Sequence, residues 1–135
     1  MMFRTGLAAA ALAPLAVPAL AEVAAPAPEP TLGEWIARDR ELARRGVARA
    51  DHPEMQQLHG DVVAALGKAR TAIAAQRDAG TPPAACPPPP GEAEITSREI
   101  GTWRSARPAA EQGEALSAVM ARFLAARFPC PVPAQ

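Results

Sequence analysis

Proline divides this chain into segments that can and cannot be helical. Residues 81–91 contain Pro82, Pro83 and the proline run 87–90. A proline lacks the amide proton that a helix or an inner strand needs, and its ring clashes with the preceding helical turn. The sequence therefore predicts a stiff loop here, with regular structure confined to the segments on either side of it.

A first helix is predicted over residues 32–50. Thr31 and Glu34 have the spacing of a capping box, in which each side chain binds the backbone amide of the other. The apolar stripe that follows at the helical period consists of Leu32, Trp35, Ile36, Ala43, Val47 and Ala50. Asp39 falls within this stripe, which is unusual for a buried face. Acidic residues are interspersed among the arginines of residues 38–49, which favours local ion pairs over binding of an acidic partner.

A second helix is predicted to begin at Pro53, where a missing amide proton costs little, and to end near Gly80. Its apolar face consists of Met55, Leu58, Val62, Leu66, Ala69 and Ile73. Its opposite side carries the small residues Gly60, Ala64, Gly67, Thr71 and Ala74. Small residues at this spacing permit close approach of another helix, including that of a second copy in a homodimer. An Ala-rich composition explains the same pattern, and both interpretations stay open.

A short third helix is predicted after the loop. Thr96 and Glu99 form another capping box. Ile95 and Ile100 have the positions of the hydrophobic staple that often accompanies such a box. The helix is expected to end before Pro108.

The last helix is predicted over residues 109–127. Its core positions are Leu116, Val119, Met120, Phe123 and Leu124. Pro129 ends the helical pattern. Four helices without a convincing strand predict an all-α fold, a small four-helix bundle-like domain over residues 31–135.

The N-terminal residues have the pattern of a secretory signal. Arg4 precedes an apolar run over residues 7–20, and small residues up to Ala21 fit a cleavage site. We therefore predict a signal peptide over residues 1–21 and an Ala/Pro-rich leader over residues 22–30.

A membrane span is the alternative interpretation of the same apolar run. The run is shorter than the roughly 20 residues that a helix needs to cross a bilayer, and Pro14 and Pro18 interrupt it. The expectation is therefore an exported, periplasmic protein without a membrane anchor, cleaved near Ala21.

Cys86 and Cys130 are the only cysteines of the chain. In an oxidising compartment an isolated pair usually forms a bridge, whereas a redox-active pair favours a Cys-x-x-Cys spacing that is absent here. The sequence thus predicts one structural disulfide between Cys86 and Cys130.

Charge and motifs argue against several functions. The chain has 14 basic and 14 acidic residues, so nothing in its charge favours a nucleic acid as partner. His52 and His59 would share a helix face, but no acidic or cysteine ligand completes a zinc set. No serine lies in a nucleophile-elbow context, and no glycine-rich phosphate loop is present. We predict no catalytic, cofactor or metal site, and expect a protein-binding role rather than an enzyme.

Four features of the second half occur in a characteristic order. They are an apolar helix carrying glycine at residues 58–63, the loop sequence at 86–88 (Cys-Pro-Pro), a capped helix at 95–103, and a final amphipathic helix that closes in Phe-Pro-Cys-Pro at 128–131. In these features residues 58–131 resemble the Rap/Tai family of periplasmic immunity proteins. Members of this family protect bacteria against peptidoglycan amidases that are delivered by type VI secretion.

The resemblance implies a helical bundle, often dimeric, with the Cys86–Cys130 pair bridged. It also implies steric inhibition, in which a loop or helix edge enters the catalytic cleft of the amidase. We further predict that the proline-stiffened loop over residues 82–94 takes part, with Glu92 and Glu94 as charged contacts, because a rigid loop loses little entropy on docking. The alternative function is a small periplasmic helical chaperone or stress protein, which would expose apolar surface on acidification.

Overall fold

The computed structural model describes residues 27–132, and these form four α-helices and one short 3-10 helix. The α-helices are α1 (Leu32–Arg44), α2 (Pro53–Asp78), α3 (Ser97–Ser105) and α4 (Leu116–Arg127), and the 3-10 helix Ala109–Gly113 precedes α4. The predicted all-α fold is confirmed. The predicted signal peptide and the first part of the leader, residues 1–26, lie outside the described residues, as do residues 133–135.

The core is built by α1, α2 and α4, and α2 packs mainly against α4. The buried residues of these helices are Leu32, Trp35, Leu42, Leu58, Val62, Ala65, Ala69, Ile73, Leu116, Val119, Met120, Phe123 and Leu124. Complete burial of a side chain such as Met120 or Leu124 contributes about 1.5–3 kcal/mol. By contrast α3 buries none of its residues, although Ile100 and Trp103 pack against the core from its edge.

The predicted extension of the first helix to residue 50 is wrong, because α1 ends at Arg44. Gly46 takes a left-handed backbone conformation with φ of 71°. The Val47 amide then donates to the Leu42 carbonyl and the Gly46 amide to the Ala43 carbonyl. This is the Schellman arrangement, which satisfies the last carbonyls of a helix and turns the chain away.

The apolar stripe of α1 is shortened by this turn. Ala43 and Ala50 are exposed, and Val47 packs against the core only from the segment beyond the turn. Leu42, which the predicted stripe omitted, is buried instead.

The prediction for the second helix is confirmed. α2 begins at Pro53, where the Nδ1 atom of His52 accepts a hydrogen bond from the Glu54 amide at 3.3 Å. It ends at Asp78, two residues before Gly80, whose φ is 69°. The predicted apolar face is buried or half-buried throughout, and the small residues on the opposite side are all exposed.

Both predicted capping boxes are present. The Thr31 hydroxyl accepts from the Glu34 amide at 3.2 Å while the Glu34 carboxylate accepts from the Thr31 amide at 2.8 Å. Thr96 and Glu99 make the same pair of hydrogen bonds at the start of α3. The start positions of α1 and α3 therefore follow directly from the sequence.

The last helix was predicted as one continuous element over residues 109–127, and that is wrong. The chain is extended at Glu114 (ψ 151°) between the 3-10 helix and α4. Here Leu32 donates its amide to the Glu114 carbonyl at 2.9 Å, and Leu116 donates to the Pro30 carbonyl at 3.0 Å. A short antiparallel bridge between Thr31 and Ala115 replaces the helical hydrogen bonds at this point.

The start of α4 is capped by a residue from the opposite end of the described chain. Ala115 precedes α4 and has no side chain that could cap it. The Glu29 carboxylate instead accepts from the Ser117 amide at 2.6 Å and from the Ser117 hydroxyl at 3.1 Å. Lys68 of α2 binds the same carboxylate at 3.0 Å. Glu29 thus joins α2 to the N-terminus of α4.

The predicted local ion pairs are present for two arginines, Arg44 with Glu41 and Arg49 with Asp51. Arg38 with Asp61 and Arg45 with Glu54 instead join α1 and its C-terminal turn to α2. Within residues 27–132 no helix is both long and apolar enough to span a membrane.

Replacement of Glu29 by Gln is expected to lower the free energy of unfolding by about 1 kcal/mol at neutral pH, as for loss of a helix cap. Burial alone would raise the pKa of Glu29, but the hydrogen bonds from Lys68 and Ser117 outweigh it and lower the pKa below its ordinary value of 4.5. The charged carboxylate therefore stabilises the fold fully above the ordinary pKa, and this stabilisation is lost as the pH falls through the lowered folded-state value. Urea unfolding of both proteins across this pH range measures the difference.

The matched control for this prediction is Glu94→Gln, which removes an exposed carboxylate without an ion-pair partner among the described residues. It should leave the free energy of unfolding unchanged. A difference between Glu29→Gln and wild type that persists undiminished at strongly acidic pH would contradict the role given to the Glu29 charge.

Candidate functional site

The proline loop is fixed at its centre to the end of α4. Cys86 and Cys130 form the predicted disulfide, with their Cα atoms 4.8 Å apart. The Cys86 amide also donates to the Phe128 carbonyl at 2.9 Å. A covalent bond and a backbone hydrogen bond therefore hold the loop and the C-terminal segment together at the same point.

Side chains of α2 hold the same loop along its length. Arg70 donates to the Pro88 carbonyl at 2.9 Å, and Arg77 donates to the Ala85 carbonyl at 3.3 Å. Gln76 accepts from the Ala84 amide at 2.7 Å. Ala85 itself is fully buried. The stiffness that the prolines predict is thus reinforced by contacts on both sides of Cys86.

Glu92 and Glu94 lie beyond this anchored part, where the loop leaves the bundle. Gly91 allows the turn there, with φ of 91°, and the Glu92 amide donates to the Pro89 carbonyl at 3.1 Å. Both glutamates are exposed. Neither carboxylate has an ion-pair partner among the residues that the structure describes. Their charges therefore remain available to an external group.

An apolar groove opens between α2 and α3, and we refer to it as the α2–α3 groove; Ile95, which follows Glu94 in the chain, is part of its lining. Its volume is about 260 Å³. It is lined by Trp35, Asp39, Met55, Leu58, His59, Val62, Val63, Leu66, Ile95, Ser97, Ile100, Gly101 and Arg104. This open and largely apolar lining is suited to apolar side chains of another protein.

The groove continues over the outer side of α2. A second depression shares Met55, His59, Val63 and Ser97 with it and extends to Gly60 and Ala64. Val63, between the two, is 55% exposed. The small-residue side of α2 therefore forms one surface with the groove.

Asp39 can lie in the apolar stripe of α1 because its carboxylate forms an ion pair with Arg104 of α3. Arg104 Nη2 is 3.0 Å from Asp39 Oδ2, and the guanidinium carbon is 4.2 Å from the centroid of the Trp35 ring. Trp35 in turn donates from Nε1 to the Leu58 carbonyl at 2.9 Å. One ion pair stacked on one ring connects α1 to α3 at the base of the groove.

The other face of α3 is attached to α4 in a similar way. Arg127 donates to Glu99 at 3.0 Å, and the Trp103 ring meets Phe123 edge-to-face with centroids 5.9 Å apart. The hydrogen bond from the Thr96 amide is the main reason that the pKa of Glu99 lies below its ordinary value, and the hydrogen bond from Arg127 adds to this effect. Ion pairs and aromatic stacking thus replace the buried aliphatic contacts that fix the other helices.

Asp39, His59 and Ser97 all line the groove, an association that the sequence did not indicate. They do not form a catalytic triad, because Asp39 is paired with Arg104 and no hydrogen bond joins His59 to Ser97 in the described part of the chain. His52 caps α2, as noted above. Within residues 27–132 no group of three or more His, Cys, Asp or Glu side chains is placed to hold a metal ion.

The sequence pointed to the loop but missed the groove. One available signal was Gly101 in the middle of α3, where a glycine costs about 1 kcal/mol relative to alanine. Another was Asp39 in an apolar stripe, which required a basic partner from a different helix.

Comparison with known proteins finds no match to this chain among family models, curated proteins or solved structures.

Removal of the disulfide by the double replacement Cys86→Ser and Cys130→Ser is expected to lower the free energy of unfolding by about 4 kcal/mol, because the unfolded chain is no longer crosslinked. Urea unfolding of wild type and variant measures this. Treatment with dithiothreitol should destabilise the wild type by the same amount and leave the variant unaffected. A loss well below about 1 kcal/mol would mean that the loop is held by its hydrogen bonds alone.

Proposed function

We propose that this chain is an exported immunity protein that binds a peptidoglycan amidase of a type VI secretion system and blocks its catalytic cleft. The observation that carries the proposal is the bond between Cys86 and Cys130. It joins the Cys-Pro-Pro loop to the closing Phe-Pro-Cys-Pro segment, which are two of the motifs in which the chain resembles the Rap/Tai family. A structural disulfide is also typical of an oxidising compartment such as the periplasm.

The rigidity of the loop supports an inhibitory role. Steric inhibition requires an element that keeps its shape inside the cleft of the enzyme, and ordering a flexible loop would reduce the affinity. Here the hydrogen bonds from Arg70, Arg77 and Gln76 hold the loop before any partner arrives. The loop therefore enters a complex with little conformational entropy left to lose.

The charges beyond this rigid part supply the second argument. Glu92 and Glu94 are exposed at the end of the loop, next to a groove with apolar walls. Tight protein interfaces combine apolar anchors with a polar rim that steers association. The groove offers the apolar surface, and the loop residues that precede Ile95 in the chain offer the charge.

The direct test measures inhibition. The oxidised chain over residues 22–135 is titrated into purified type VI amidases from the source bacterium and its competitors, and release of stem peptides from peptidoglycan is followed. The expected result is stoichiometric inhibition of one of these enzymes and formation of a defined complex on gel filtration. The Cys86→Ser, Cys130→Ser variant should inhibit less well than the wild type.

A chaperone function predicts a different outcome of the same titration. A chaperone would leave every amidase active and would bind unrelated unfolded proteins more strongly as the pH falls. Binding of an environment-sensitive dye on acidification, together with a lack of amidase inhibition, would overturn the immunity proposal.

Replacement of both Glu92 and Glu94 by Ala is expected to weaken amidase binding about tenfold, mainly through slower association, because rim charges act on the encounter rate. Surface plasmon resonance at low and high salt measures both rates, and the salt dependence should be smaller for the variant. Asp78→Ala is the matched control, since Asp78 is also exposed but lies at the end of α2. Equal affinities of wild type and the double variant would exclude a role for these glutamates.

A further inference from the structure

Among residues 27–132, Gly101 has no packing role. It lies inside α3 and lines the α2–α3 groove, and a Cβ atom placed on it would meet no heavy atom within 4 Å. Its φ is not in the left-handed region, so the backbone does not require glycine either. An alanine here would stabilise the helix by about 1 kcal/mol. The space next to Gly101 is therefore left open at a cost in stability.

Gly60 of α2 is open in the same way in the adjoining depression. It lines the depression that continues the groove over α2, and a Cβ atom on it would likewise contact nothing within 4 Å. Two helical glycines, on two different helices, thus border these two connected depressions. Close approach of an external group is a physical reason for glycine at such positions.

The walls of the groove are apolar and incompletely covered. Met55, Leu66, Ile95 and Ile100 are half-buried, and Val63 is exposed. The one charged pair inside the groove, Asp39 with Arg104, is neutral as a unit. An occupant that fills this space must therefore present apolar side chains.

Charged residues adjoin the groove lining in the chain, and acidic ones predominate. Glu94 directly precedes Ile95, with Glu92 two residues further, and Arg98 follows Ser97. Both carboxylates are exposed and have no ion-pair partner in the described residues. A basic group beside the apolar side chains of the occupant would complement them.

We propose that the α2–α3 groove binds a segment of the partner protein that carries one or two apolar anchor side chains flanked by lysine or arginine. The anchors enter between α2 and α3 past Gly101, and the basic residue pairs with Glu94 and Glu92. This rests on the proposed function for the identity of the partner as the amidase. In this complex the α2–α3 groove binds a segment of the enzyme, while the proline loop of this chain enters the catalytic cleft of the enzyme.

The described surface does not itself display such a segment. Its exposed large apolar side chains are Val63 and Val132. Neither has a lysine or arginine within four residues along the chain. A second copy of this protein is accordingly a poorer match to the groove than a basic, apolar segment of another protein.

The test fills the groove without disturbing the fold. Gly101→Leu places a side chain in the open space, Gly101→Ala adds only a methyl group, and Ala37→Leu enlarges an exposed residue of α1 outside the groove. Thermal unfolding should show that the Gly101 variants are as stable as the wild type or more so, since both replacements favour a helix.

Two synthetic peptides serve as probes in fluorescence anisotropy. Both carry leucines at positions i and i+4 of a helical sequence, and one is flanked by lysines and the other by glutamates. The lysine peptide should bind the wild type about tenfold more tightly than the glutamate peptide, and Glu92→Gln with Glu94→Gln should remove this preference. Gly101→Leu should weaken binding of the lysine peptide by about tenfold or more, Gly101→Ala by less, and Ala37→Leu not at all.

Several results would overturn the inference. Equal binding of the lysine peptide to wild type and Gly101→Leu would do so. So would sedimentation data in which the wild type dimerises and Gly101→Leu is a monomer, because the groove would then be an interface between copies.

The amidase assay separates the inference from the proposed function. If the wild type inhibits an amidase and Gly101→Leu inhibits it equally well, the groove is not part of that complex, and the proposed function stands without it. If the wild type inhibits none while the peptide results hold, the proposed function fails and the chemistry of the groove stands.

Discussion

The burial of α4 along α2 is the interaction on which the other features of this domain depend. Val119, Met120 and Leu124 are completely covered, and they fix the distance and register between the two helices. Both ends of α4 are then tied to other parts of the chain, its start by Glu29 and Pro30 and its end by the disulfide to Cys86. Because α2 also holds the proline loop through its polar side chains, the shape of the loop follows from this helix pair.

α3 is attached to the other helices mainly by polar contacts and not by buried aliphatic side chains. It has no buried residue. Arg104 of α3 pairs with Asp39 and stacks on Trp35 of α1, and Glu99 of α3 pairs with Arg127 of α4. Such contacts tolerate a gap between helices that an aliphatic interface would close, since voids in a core forfeit packing energy. These polar contacts, together with half-buried contacts from Ile100 and Trp103, hold α3 beside the core and leave the groove open between α2 and α3.

Local signals in the sequence were sufficient for most of the fold. The capping boxes at Thr31 and Thr96, the apolar face of α2 and the pairing of the cysteines were all predicted from spacing and residue type. The predicted end of the first helix was wrong because the local stop signal at Gly46 was missed, although Gly80 was used in that way for α2. The break near residue 114 depends on hydrogen bonds from a segment more than 80 residues away, which spacing does not encode. The loop was identified as a candidate because proline restricts the chain locally. The groove was missed because it needs residues from three helices, and their arrangement is a tertiary property.

The cap on α4 has a consequence for the order in which the molecule assembles. Glu29 and Ser117 are 88 residues apart in sequence, yet α4 has no side-chain cap of its own without Glu29, and without Ser117 the carboxylate keeps only Lys68 as a partner. A ribosome makes these two residues at opposite ends of the synthesis of this domain, and contacts of such separation form late because a long loop must close first. The segment that carries Glu29 therefore cannot cap α4 before α4 has been made. The contacts that close the bundle at Glu29 and anchor the loop at Cys86 both require the C-terminal part of the domain.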